Sequence, residues 1–166
     1  VDEDPNGDKI LEKDILEEST RWCGHLTTGG KCRNPQTLAL VCEIMLKREK
    51  YLLALRCITR GLAIDSLHPA INYQLFAFTK QFYQRVGLSS SSSTTPASET
   101  PVKPIPRVVE DVIREKLQLL LGGEGESYLN SYLETFVQRS LAPEATINHR
   151  VAAAKAIMNF QGNADS

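Results

Sequence analysis

The sequence lacks any apolar run long enough to cross a membrane. Its longest uninterrupted apolar stretches, such as residues 119–121, cover only a few positions, whereas a spanning helix needs about 20. The first residues also lack the basic region followed by an apolar stretch that marks a secretory signal peptide. We therefore expect no membrane association. Because the chain begins at Val1 rather than at Met, we expect it to be an internal part of a longer protein.

Cysteine is sparse, with four residues in 166. Cys42 and Cys57 fall within helical patterns, and a chain of this length can bury a stable core without disulfides. We expect free thiols in a reducing, intracellular setting, and specifically in the cytoplasm. Cys23, His25 and Cys32 come nearest to a metal-ligand cluster, but their spacing does not match that of a zinc finger. We therefore predict no metal site.

Strand patterns are absent too, since no stretch of four or more residues alternates cleanly between apolar and polar side chains. From residue 14 onward the apolar spacing is helical almost everywhere, which predicts an all-α fold. Six serines, three threonines and four prolines fill 13 of the 19 positions in residues 88–106, leaving too little apolar surface to offset ordering. The predicted organisation is a helical block over residues 1–87, a flexible insert over 88–106 and a second helical block of the same domain over 107–166.

Capping and helix-breaking residues divide the chain into seven predicted helices. Asp14 and Glu17 have the spacing of a capping box, Pro69 suits a first helical turn, and Gly87 is expected to close the helix before it. The predicted helices begin at Asp14 and then run from Pro35 to about Arg48, Tyr51 to Asp65, Pro69 to about Val86, Arg107 to Leu121, Ser127 to Arg139 and Thr146 to Phe160.

Apolar side chains indicate which faces of these helices are buried. Ile15, Leu16 and Trp22 form the expected apolar side of the first helix. The fourth helix has aromatic residues on more than one face, so we expect it to lie between neighbours on both sides. In the fifth helix, the expected buried line consists of Val109, Val112, Ile113, Leu117 and Leu120. The last helix contains small residues that permit close helix approach, namely Ala152, Ala153, Ala154 and Ala156.

The 34-residue tetratricopeptide pattern can be aligned with residues 35–68. Its signature positions are taken by Leu38, Val41, Cys42, Met45, Tyr51, Ala54, Ile58, Gly61 and Ile64. Ala54 and Gly61 fall at the small positions, where two helices approach closely. The alignment favours an α-α superhelix of tetratricopeptide-like helical hairpins, in which each hairpin packs on its neighbours.

Longer strings of residues carry a more specific resemblance. They are residues 47–56 (KREKYLLALR), 60–66 (RGLAIDS), 4–9 (DPNGDK), 15–18 (ILEE) and 149–155 (HRVAAAK). In these stretches the chain resembles the C-terminal portion of the auxiliary, tetratricopeptide-containing subunit of the N-terminal acetyltransferase A complex. The resemblance extends over nearly the whole chain except residues 88–106, which depart from the family pattern.

This resemblance implies a scaffold rather than an enzyme. In that family the auxiliary subunit is a long α-solenoid that wraps the catalytic acetyltransferase, helps position it at the ribosome and accepts a small regulator, the huntingtin-interacting protein K. The expected partners are therefore the catalytic subunit, a regulator of that kind and the ribosome. The expected role is to support co-translational N-terminal acetylation, with the acetyl-CoA chemistry on the other subunit.

The sequence contains no recognisable catalytic motif. An acetyltransferase holds the coenzyme A pyrophosphate with backbone N–H groups of a glycine-rich turn between strand and helix. Here residues 122–125 (GGEG) lie between two predicted helices and include an acidic side chain, which favours the end of one helix and the start of the next. We predict no catalytic residues and no cofactor.

Basic residues are concentrated in one part of the chain. Residues 20–86 carry ten basic and three acidic side chains, although the net charge is −1. The candidate contact residues are Lys47, Arg48, Lys50, Arg56 and Arg60. A solvated polar face is the simpler interpretation. The alternative function is a basic helical module that binds ribosomal RNA or another nucleic acid, since clustered lysine and arginine bind phosphates without reading sequence.

An aromatic row near the end of the chain is the candidate partner-binding strip. Tyr128, Tyr132 and Phe136 are spaced four residues apart and fall on one line of a helix. Most such lines belong to a core. If this line lies on the outside, it is an aromatic docking strip of the kind enriched at protein interfaces.

Overall fold

The computed structural model describes residues 14–27, 32–90, 104–123 and 126–160. Over these ranges the chain forms seven α-helices and no strand, which confirms the predicted all-α class. The helices are α1 (Ile15–Thr27), α2 (Pro35–Lys47), α3 (Tyr51–Ile64), α4 (Pro69–Ser90), α5 (Arg107–Leu121), α6 (Glu126–Ser140) and α7 (Ile147–Phe160). No helix in this part of the chain is long and apolar enough to cross a membrane.

Helices α2 and α3 form an antiparallel hairpin whose ends are set by local hydrogen bonds. The Asn34 side chain accepts a hydrogen bond from the backbone N–H of Gln36 at 2.9 Å and caps α2. At the other end Glu49 adopts a left-handed conformation with φ 54°, and the backbone N–H of Lys50 donates to the Met45 carbonyl at 2.8 Å. This tight reversal allows α3 to begin at Tyr51.

Small residues permit close packing of this hairpin and of the next helix. Ala54 on α3 is completely buried. A Cβ atom added to Gly61 would lie 2.7 Å from Cγ1 of Ile71, a fully buried side chain on α4. Of the nine tetratricopeptide signature positions, all are buried except Ile64, which is 45% exposed. The structure therefore has a tightly packed helical hairpin at residues 35–64.

Helix α4 is the centre of the fold because it buries aromatic rings on two opposite faces. On one face Phe76 contacts Phe136 of α6, with ring centroids 5.7 Å apart. On the other face Phe78 and Phe82 lie 6.1 and 6.4 Å from the Tyr51 ring of α3. Four helices pack on α4, namely α2, α3, α6 and α7. This confirms the prediction that α4 lies between neighbours on both sides. The two helical blocks therefore share one core.

The helices after residue 104 complete the second side of this core. Gly122 takes up a left-handed conformation with φ 80° and ends α5. Helix α5 contacts α3 and α6, whereas α7 contacts α4 and α6. Three of the four predicted small residues of α7 are buried at these contacts, namely Ala152, Ala153 and Ala156. The predicted line on α5 is partly wrong, because Val112 is 42% exposed whereas Ile113 and Leu117 are fully buried.

The predicted end of the fourth helix at Gly87 is also wrong. The described part of α4 continues through Gly87 to Ser90, and Gly87 does not have the left-handed conformation seen at Gly122. A glycine inside a helix costs about 1 kcal/mol relative to alanine, which does not end a helix that is packed on its neighbours. The central residues of the predicted flexible insert, 91–103, lie outside the described residues, and Ile105 packs against the core.

Helix α1 is held against α2 and α3 at both of its ends. The Asp14 carboxylate caps α1 by accepting a hydrogen bond from the backbone N–H of Leu16 at 2.9 Å, and it forms a 3.0 Å ion pair with Arg48. At the other end, the Arg60 guanidinium donates to the Thr27 carbonyl at 3.3 Å. These two long-range contacts determine which face of α1 is turned toward the hairpin.

The predicted apolar side of α1 faces solvent. Ile15 and Trp22 are 61% and 62% exposed, and Leu16 is 38% exposed. Cys23 is instead the buried residue of this helix. The prediction that Ile15, Leu16 and Trp22 face the core is therefore wrong, because the contacts at the two ends of α1 turn a face with Cys23 at its centre toward α2.

The Asp14 cap predicts an acid-sensitive contact. Hydrogen bonds from the backbone N–H groups of Glu17 and Leu16, followed by the Arg48 guanidinium, hold the pKa of the Asp14 carboxyl below its ordinary value. Because the folded-state pKa is lowered, this stabilising contribution is complete above the ordinary pKa and is lost as the pH falls through the folded-state pKa.

We expect the Asp14 carboxyl carbon to titrate at a lower pH in the folded chain than in the chain unfolded in urea, as followed by NMR. Since the backbone bonds are the larger cause, most of this difference should persist in Arg48→Ala. Identical titration midpoints in the folded and unfolded chains would contradict the cap.

Candidate docking surfaces

The predicted aromatic strip on α6 is divided between core and surface. Phe136 is 4% exposed and contacts the Phe76 ring inside the core. Tyr132 is half-buried, and its ring lies edge-on to Phe76 at a centroid distance of 5.7 Å. Tyr128, at 46% exposure, is the member of the row that is open to solvent. The structure thus places the three residues in line but does not form one exposed strip from them.

The Tyr132 hydroxyl is part of a buried polar link between α6 and α4. It donates to Oδ1 of Asn72 at 2.8 Å, and Asn72 is only 2% exposed. The Asn72 amide in turn donates to the Ser66 and His68 carbonyls, both at 3.0 Å. Burial raises the pKa of Tyr132, so the hydroxyl stays protonated as a donor. The sequence pattern did not reveal this link, because the partners are 60 residues apart.

Tyr132→Phe should lower the free energy of unfolding by about 1–2 kcal/mol. The substitution keeps the ring but leaves the buried Asn72 oxygen without its donor, and an unsatisfied buried polar atom costs energy of that order. Chemical denaturation of the wild type and the variant measures the difference. Tyr128→Phe, the same change at a tyrosine that is 46% exposed, is the matched control and should have little effect. Equal losses in the two variants would show that the Asn72 bond is not stabilising.

Tyr128 lies over the turn between α5 and α6. A Cβ atom added to Gly123 would overlap the Tyr128 ring, so the ring covers the backbone at that position. About half of the side chain remains accessible. Tyr128 is therefore an aromatic side chain that is about half exposed at the surface, which suits a protein interface.

Three of the five candidate basic residues make contacts within the chain. Lys47 forms an ion pair with Glu43 at 3.1 Å, and Arg48 pairs with Asp14 as described. The Arg60 guanidinium donates to the Thr27 carbonyl and to the Cys32 carbonyl, the latter at 3.1 Å. These contacts occupy donors that a phosphate backbone would otherwise take.

Lys50 and Arg56 are the two candidate basic residues whose side chains have neither an ion-pair nor a hydrogen-bond partner among the described residues. Both are exposed. Arg56 lies beside Arg60 on the wall of a groove of about 390 Å³ between α1 and α3. Two open cations make a smaller electropositive surface than the five that the sequence pattern grouped together.

The four cysteines are free thiols, and three of them are buried. Burial raises the pKa of Cys57 to about 11 and also raises the pKa of Cys42, so these two thiols remain protonated at neutral pH. Within the described ranges no three histidine, cysteine or acidic side chains are grouped so as to hold a metal ion.

Two exposed apolar rows were missed by the sequence analysis. The α5 row consists of Val108, Val112 and Leu119, with exposures of 75%, 42% and 68%. The α7 row consists of Ile147, Val151 and Met158, with exposures of 76%, 48% and 75%. Each lies opposite the buried face of its helix. The rows are visible in the sequence as apolar residues at positions i, i+4 and i+11. Each of these helices therefore has two apolar lines, and an interpretation that assigns one apolar face to each helix does not distinguish the exposed line from the buried one.

A scan of the sequence against models of known protein families found no match, and a search of curated proteins found no significant relative.

Proposed function

We propose that this chain is a non-catalytic scaffold segment of an auxiliary subunit of the N-terminal acetyltransferase A complex. In this role it supports co-translational N-terminal acetylation in the cytoplasm by docking a regulatory protein similar to the huntingtin-interacting protein K. The full-length subunit would contact the catalytic subunit and the ribosome. The tetratricopeptide-like superhelix belongs to the same proposal.

The observation that carries the proposal is that several helices expose apolar side chains to solvent. The resemblance in residues 47–56 and 60–66 falls on α3 and its flanking turns, and the small residues Ala54 and Gly61 of this helix are buried, which supports the proposal. Tyr128 and the two apolar rows offer surfaces that a partner protein can bury. The contacts of Asn34, Asp14 and Tyr132 cap helices or join them to one another, which suits a structural role.

Nucleic-acid binding is the weaker candidate. Lys50 and Arg56 are available to phosphates, but Lys47, Arg48 and Arg60 are engaged within the chain. Affinity for a phosphate backbone grows with the number of phosphates neutralised. Two open cations therefore favour protein docking over an RNA-binding surface.

The proposal is tested by titrating huntingtin-interacting protein K against the purified chain. We expect saturable 1:1 binding, and we expect Tyr128→Ala to weaken it by about 2 kcal/mol or more, the effect of removing a central aromatic contact. Leu40→Ala, which truncates an exposed side chain on α2, is the control and should bind like the wild type.

Failure of the wild type to bind would contradict the docking role. Equal affinity of the wild type and Tyr128→Ala would remove this tyrosine from the interface. The same preparation should show no acetyl transfer from acetyl-CoA to peptides. Turnover that persists after every other protein is removed would contradict the non-catalytic role.

A further inference from the structure

The outer face of α7 is apolar along its middle and basic on both sides. The α7 row is joined by the exposed Ala154 to give the spacing i, i+4, i+7, i+11. Arg150 and Lys155 are exposed and flank the row, one on each side. Helix α7 contains no acidic residue, and neither cation has an ion-pair partner among the described residues. This face therefore favours an apolar partner that carries negative charge.

The outer face of α5 has the complementary character. The α5 row has the same spacing, with Glu115 at the i+7 position. Asp111 lies beside the row on one side and Lys116 on the other, and all three charged residues are exposed. The α5 face thus carries one more negative than positive charge, whereas the α7 face carries two positive charges. Each row spans 12 residues, or about 16 Å of helix from its first Cα to its last.

We propose that the α5 row of one copy binds the α7 row of a second copy of this chain. The two rows have equal length and apolar residues in the same register, so the side chains of one can pack between those of the other. Glu115 is placed to meet Lys155 or Arg150 across the contact, which gives the pairing its charge complementarity.

The proposed contact is heterologous, because two different surfaces of the same chain meet. After one such contact, one copy of the pair still has a free α7 row and the other a free α5 row, so association continues head to tail unless it closes into a ring. A symmetric contact between two α7 faces is disfavoured, since it would bring four cations together. The two rows are also among the surfaces offered to a partner protein above, but the tests are separate, because the regulator titration probes Tyr128 and sedimentation of the chain alone probes the rows.

Sedimentation velocity over about 1 μM to 1 mM, a range of weak affinities, tests the proposal on the intact chain. We expect the average mass to rise above that of one 18.5 kDa chain as the concentration increases. Met158→Glu and Leu119→Glu should each weaken association by at least about tenfold. Leu40→Glu, which adds the same charge at an exposed site outside both rows, should leave it unchanged.

Mixing the two row variants gives the sharpest result. Met158→Glu keeps an intact α5 row and Leu119→Glu keeps an intact α7 row. At a concentration where the wild type associates and each variant alone stays at the mass of one chain, an equimolar mixture should form a dimer that grows no further. A chain that is monomeric at every concentration would overturn the proposal. So would association that survives both variants, or a mixture that does not form the dimer.

Discussion

Replacing Phe76 with alanine should lower the free energy of unfolding by about 3–5 kcal/mol, the usual cost of truncating a fully buried phenylalanine. Phe76 has no exposed surface and contacts Tyr132 and Phe136 of α6. Its removal opens a cavity between α4 and the second helical block. Thermal and urea-induced unfolding, followed by circular dichroism, measure the loss.

The companion variant Phe78→Ala tests whether the two faces of α4 belong to one core. Phe78 is equally buried but faces Tyr51 on the side of the first block. We expect a loss of similar size and a single unfolding transition in both variants, because α4 is common to the two blocks. Two separate transitions, with only one of them shifted in each variant, would contradict the shared core. Leu40→Ala is the exposed control and should change the stability little.

Gly61→Val should destabilise the chain by about 3 kcal/mol, at the upper end of the cost of overpacking. The first carbon of the new side chain would overlap Cδ1 of Ile71 and would lie 2.7 Å from its Cγ1. Ile71 is completely buried, so it cannot move aside into solvent. The α3–α4 contact must therefore open. Chemical denaturation measures the loss.

Gly24→Ala is the matched control for this substitution. Gly24 is also helical, but a Cβ atom added there would meet nothing within 4 Å. Alanine is a better helix former than glycine by roughly 0.5–1 kcal/mol, so this variant should be as stable as the wild type or slightly more stable. Equal tolerance of Gly24→Ala and Gly61→Val would refute the close approach of α3 and α4.

The sequence predicted the helices well because their ends are determined locally. Asn34 caps α2 with its own side chain, and Gly122 supplies the left-handed residue that ends α5. The close approach of α4 to α3 at Gly61 was also predictable, since a glycine at a small position of the repeat pattern allows another helix to come near. The predicted end of α4 at Gly87 was wrong because a glycine ends a helix only where the backbone leaves the helical conformation.

The orientation of helix faces could not be predicted in the same way. Ile15 and Trp22 look like a buried side on the sequence, but the contacts of Asp14 and Thr27 with distant arginines turn them outward. Likewise, the Tyr132 hydroxyl binds Asn72, 60 residues away. Both results depend on pairs of residues that only the folded chain brings together. The second of these contacts draws Tyr132 toward the core and so divides the predicted aromatic strip.

The most direct test of the proposed docking role is a salt series with two ligands. Binding of the chain to huntingtin-interacting protein K and to a ribosomal RNA fragment is measured in parallel between about 50 and 200 mM salt. Docking through Tyr128 and apolar side chains predicts regulator binding that changes little over this range, together with RNA binding that is weak and falls steeply. Tight RNA binding with no affinity for the regulator would contradict the account and would favour the basic residues as the functional surface.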